Sequence, residues 1–125
     1  MTASPLIDAD SLARLEQDVG PQVVGQIIGL FLERGPDRLQ AVRTGVQSAD
    51  LAGAAEALHS IKSSAAMLGA SGLADIAERA ERLARGGRAA DLTTLMKSFE
   101  RAFEETTAFL RDRRREPPSG EGAGD

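Results

Sequence analysis

The chain contains no cysteine, no tryptophan and no tyrosine, and it has a single histidine. Without thiols, disulfide staples and thiolate chemistry are excluded, and one imidazole alone argues against a zinc site. Aromatic residues are only 3% of the sequence, whereas Ala and Leu abound. Strands draw on Val, Ile and aromatics, so this bias favours helices. No apolar run approaches the ~20 residues that a membrane span needs. The opening MTASPLIDAD lacks the basic and apolar regions of a signal peptide, so a soluble, cytoplasmic protein is expected. Excess positive charge is missing too: the net charge is −4 and the pI is near 5.0, which speaks against general nucleic-acid binding. The one basic cluster, RDRRRE from Arg111 to Glu116, has no interleaved aromatics and reads as a solvated helix end.

What is present suits one globular domain. The 125 residues are 42% hydrophobic and 27% charged, enough to bury a core. Five helical segments are predicted and no strand. The first runs from Asp8 or Asp10, both N-cap candidates, to Gly20. The second starts at Pro21 and carries Val24, Ile27, Ile28, Phe31, Leu39, Val42 and Val46; Gly35-Pro36 predicts a kink or two abutting segments. The third, capped by Ser48 or Asp50, places Leu51, Ala54, Leu58, Ile61, Ala65 and Leu68 on one seam. Ser71 is the candidate cap of the fourth, whose seam reads Leu73, Ile76, Ala80 and Leu83. Asp91 is the candidate cap of the fifth, with Leu92, Leu95, Phe99, Phe103 and Leu110 inward. Short Gly- or Ser-marked turns between long amphipathic segments predict an all-α, up-down antiparallel four-helix bundle, with the short first helix as a lid or flank. Residues 1–115 form the predicted domain, and the Pro- and Gly-rich 116–125 are predicted to be a disordered tail.

The histidine lies in the third helix, in the stretch EALHSIKSSAAMLGA. At about 100° per residue, His59 falls roughly 130° from the centre of the apolar seam, on the solvent side. Its neighbours one turn away are Ala55, Glu56, Lys62 and Ser63, with Ala66 beyond, so little bulk covers the imidazole. A lone exposed histidine on an alanine-rich helix is most often without function, and position alone does not decide otherwise. Glu56 and His59 do stand in Glu-x-x-His spacing, but metal-binding bundles use two such pairs, and a chain with one histidine has no second.

The wider pattern resembles the histidine-containing phosphotransfer (HPt) family. The run His59-Ser60-Ile61-Lys62-Ser63-Ser64-Ala65-Ala66-Met67-Leu68-Gly69 is similar to the family's core: His, a Lys three residues on, small residues, then Gly ten positions after the His. The flanking IIGLFLERGPDRLQAV and GLADIAERAERLARGG resemble the family's neighbouring helices, so the likeness spans about residues 6 to 110. One departure is Ser63, where the family usually has Gly. The resemblance implies a phosphorelay carrier in two-component signalling. His59 would accept a phosphoryl group from a receiver-domain aspartate and pass it to another receiver. Lys62 would stabilise phosphoryl charge, and Ser63, Ala66 and Ala55 would meet the partner. Glu81 is a candidate for orienting the imidazole, with an ordinary ion pair to Arg85 as the rival reading. The implied partners are response-regulator receivers and a hybrid histidine kinase. No ATP-dependent kinase activity and no cofactor are expected, Mg²⁺ being held by the receiver; the default state is a monomer. A degenerate relative, a helical adaptor that binds signalling partners without being phosphorylated, is the alternative.

Overall fold

The computed structural model describes residues 7–115, and among these there are five helices and no strand. They are α1 (Ala9–Val19), α2 (Pro21–Gln47), α3 (Leu51–Met67), α4 (Ser71–Arg85) and α5 (Ala89–Arg115). The tail predicted over 116–125 lies outside the described residues. None of these helices is long and apolar enough to cross a membrane.

Local chemistry sets the helix starts. Asp8 caps α1, its Oδ1 accepting from the backbone N–H of Asp10 at 3.0 Å and of Ser11 at 3.3 Å. Asp50 caps α3 in the same way, accepting from Gly53 N–H at 3.0 Å. Two predicted caps are displaced. Ser71 is already the first residue of α4, and the N-cap is Ala70, which has no side chain to offer. Asp91 lies inside the first turn of α5, where it pairs with Arg88 and favours the positive helix end.

Gly35-Pro36 does not divide α2, which runs on through Pro36. Phe31, Gly35 and Leu39 are all buried, so packing on both sides of the proline holds the two halves as one helix. Gly35 has no room to be anything larger: a Cβ there would meet the Phe103 ring at 2.9 Å. That ring stacks on Phe31 at 5.7 Å between centroids and tilts against Phe99 at 6.4 Å, forming the aromatic centre of the core.

Each long helix packs on the next, α2 on α3, α3 on α4 and α4 on α5, and α5 returns to α2. The intervening connections, 48–50, 68–70 and 86–88, are short. The inward face of α4 is Leu73, Ala77, Ala80, Glu81 and Ala84, while Ile76 and Leu83 are only half-buried. The face is thus turned by about one residue from the predicted seam. Small side chains on α4 and on α3 (Ala55, Ala65) let the two helices approach closely, and the rotation that exploits them carries Glu81 inward.

The first helix flanks the others and is pinned at both ends. Asp8 N–H donates to the Gly69 carbonyl at 2.8 Å, and Glu16 pairs with Arg113 of α5 at 2.6 Å. Gly69 adopts a φ of +75°, and a Cβ there would lie 2.9 Å from Ser11, so the turn after α3 needs glycine both for its backbone and for the approach of α1.

Candidate functional site

The third helix is anchored by its seam. Ala54, Leu58, Ile61, Ala65 and Leu68 are at most 1% exposed, which fixes the rotation of everything else on the helix. His59 then emerges on the outer face with 56% of its side chain exposed. Ser63, Ala66 and Met67 are exposed along the same side. Ala55 is not: it is fully buried, and a partner cannot touch it. With α4 close on one side and α2 on the other, α3 shows solvent only a narrow strip, and the position one turn before His59 is already covered.

Lys62, Ser63, Ala66 and Met67 form one wall of a groove, with Arg14, Leu15 and Asp18 of α1 facing them and Ala74 and Glu78 of α4 completing it. Met67, at 57% exposure the most open large apolar side chain among the described residues, belongs to this surface. Nothing in the sequence singled out Met67. The first helix was expected as a lid or flank, and which of its residues line the groove depends on where it docks.

Beneath the histidine lies a buried carboxylate. Glu81 is 7% exposed, yet it faces three basic side chains. Its Oε2 is 3.3 Å from His59 Nδ1 and accepts from Arg85 Nε–H at 2.9 Å, with Arg85 Nη2 in ion-pair contact at 2.8 Å. Its Oε1 is 3.2 Å from Lys62 Nζ, an ion pair outside linear hydrogen-bond geometry. The structure brings Glu81 to both residues: it pairs with Arg85 and it lies against the imidazole. Lys62, 29% exposed, is tied to the same carboxylate and does not stand free beside the ring. Burial alone would raise the Glu81 carboxyl, but the hydrogen bond from Arg85 and the close positive charge of Lys62 hold it below the usual glutamate range. A carboxylate so placed favours the tautomer with the proton on Nδ1, which we assign to His59 on that ground.

The family model of the Hpt domain matches residues 26–111, which take in α3, α4, His59, Lys62 and Glu81. No curated protein matches in sequence. Among solved structures, the fold is similar to that of histidine-containing phosphotransfer protein B (HptB) from Pseudomonas aeruginosa PAO1. The TM-score is 0.81 at 23% identity, covering 90% of this chain and 97% of that one. That likeness is one of fold; the match over most of the sequence goes further, and by it this chain belongs to the Hpt domain family, whose members are phosphotransfer carriers in signalling.

Proposed function

We propose that this chain is a phosphorelay intermediate in which His59 takes a phosphoryl group from the aspartyl phosphate of one receiver domain and gives it to the aspartate of another. The observation that carries this reading is an exposed imidazole held at Nδ1 by a buried carboxylate, 3.3 Å away. A ring held at that nitrogen keeps its proton there and offers the Nε2 lone pair to an incoming electrophile.

The transfer balances without any other reactant. The Nε2 lone pair forms the N–P bond, the P–O bond to the donor aspartate breaks, and its electron pair leaves on the carboxylate. The Nδ1 proton stays in place, so the phosphorylated ring is cationic and faces Glu81. Lys62 lies one turn along α3 and offsets phosphoryl charge. A unit charge pair at about 4 Å is worth roughly 1 kcal/mol in water and about 4 kcal/mol at an effective dielectric near 20. The lysine therefore acts mainly once a docked receiver has displaced water. Reversal of the same steps delivers the group to the next receiver, and no nucleotide takes part.

In this reading α2 to α5 form an up-down antiparallel bundle with α1 across its end, acting as a monomer. The receiver brings its own Mg²⁺ and docks over the strip of Ser63, Ala66 and Met67, and the hydroxymethyl of Ser63 adjusts the fit. Incubation with a receiver carrying radiolabelled phosphate tests it. Label that is acid-labile and alkali-stable is expected on the protein and is lost in His59→Gln. Label retained by that variant would refute the assignment.

A further inference from the structure

We infer that Arg85 is a positioning residue for phosphoryl transfer: it locks Glu81 Oε2 against His59 Nδ1 and so selects the imidazole tautomer whose Nε2 is free to react. This rests on the reading of His59 as the phosphoacceptor.

A carboxylate turns easily about its terminal bond, since that torsion has broad wells. Burial alone does not fix which way the Glu81 oxygens face. One rigid guanidinium does: Arg85 Nε–H donates to Oε2 at 2.9 Å, and Nη2 of the same plane lies 2.8 Å from that oxygen as an ion pair. The same oxygen is the one beside the imidazole. Lys62 holds the other oxygen, but a flexible ammonium is a point charge and defines no plane. Oε2 is already occupied by the guanidinium, and its contact with Nδ1 is the longest of the set. Glu81 thus orients the ring while its own charge is shared with two cations. The charged groups flanking the ring are Glu56 and Lys62 on its own helix and Glu81 and Arg85 on α4.

A neighbouring pair shows that spacing is not what gives Arg85 this role. Arg82 and Glu78 are also four apart on α4 and also bonded, at 2.6 Å. That pair is open to solvent, with side-chain exposures of 77% and 43%, and touches no reactive group; it has the value of an ordinary surface pair. Glu81 has 9% exposure and lies against His59.

The single histidine makes the test clean, because ¹⁵N-labelled protein shows one pair of imidazole nitrogens. Their shifts would be read at about pH 8.5, above the ordinary imidazole range, in the unsubstituted protein, Arg85→Ala, Arg85→Lys and Arg82→Ala. Phosphorylation by phosphoramidate, a small donor that needs no docking, would be timed in the same samples. Arg85→Ala is expected to convert a predominantly Nδ1–H ring to a tautomer mixture and to slow phosphorylation roughly five-fold. Arg85→Lys, which keeps the charge but loses the planar fork, should stay close to Arg85→Ala, and Arg82→Ala should match the parent. An unchanged tautomer in Arg85→Ala, even with a slower rate, overturns the inference, as does a lysine variant that restores the parent tautomer or an equal loss in Arg82→Ala. If the parent accepts no phosphoryl group, the functional reading fails, while the ring shifts still decide whether Arg85 positions Glu81.

Discussion

At the scale of single residues, the site is one imidazole and one buried carboxylate, with two cations dividing that carboxylate between them. Removing either cation has a definite cost. Lys62→Ala leaves Glu81 Oε1 without its partner, so we expect slower transfer from a receiver and a loss of about 1–3 kcal/mol in urea unfolding. An unchanged transfer rate would take the lysine out of the mechanism. Glu81 carries a pH signature whose sign follows from its lowered carboxyl. Its ionised form stabilises the fold above the ordinary glutamate range, and that contribution is lost as pH falls through the lower value it has when folded. The stability gap between the parent and Glu81→Gln should therefore be wider at neutral pH than in acid. A gap that widens on acidification would contradict the charge assignment. Part of this was legible in the sequence: angular position alone placed His59 outward, whereas Glu81 came only from the family resemblance. Ala55 was not legible, because an angle on one helix says nothing about how closely the neighbouring helices crowd it.

At the scale of elements, α3 is useful only because its other face is immobile. Leu58 and Ile61 flank His59 and are at most 1% exposed. Truncating either to alanine should cost about 2–5 kcal/mol through the cavity it leaves, measured by urea unfolding. If both were neutral, the face assignment of α3 would be wrong. The entry to α3 is just as tight. Asp50 N–H donates to the Gly45 carbonyl at 2.8 Å, and a Cβ on Gly45 would stand 2.7 Å from the Asp50 carbonyl oxygen. Gly45→Ala should lose about 1–3 kcal/mol despite the better helix propensity of alanine, because backbone and not a movable side chain is in the way. A melting temperature at or above the parent's would show that the turn can open at no cost. Helix existence and the caps Asp8 and Asp50 could be read from composition and spacing. The unbroken α2 and the one-residue rotation of α4 could not, since both are set by burial against neighbours that a single segment does not contain.

At the scale of the whole molecule, the helices serve as a stand. Four long helices in a ring hold α3 and α4 rigid, α1 is pinned beside them by Asp8 to Gly69 and Glu16 to Arg113, and the groove between α1, α3 and α4 opens next to the reactive ring. Fold class, helix order and the position of the histidine follow from period and punctuation. The groove does not, because it exists only once α1 has docked. Since the family is one of phosphotransfer carriers and our proposal names one nitrogen of one side chain, the decisive measurement is where the phosphoryl group goes. ¹⁵N- and ³¹P-detected NMR of the protein after exchange with a phosphorylated receiver should show a single N–P bond at His59 Nε2, with Nδ1 still protonated. A phosphoryl group on Nδ1, on any other residue, or on none would contradict it.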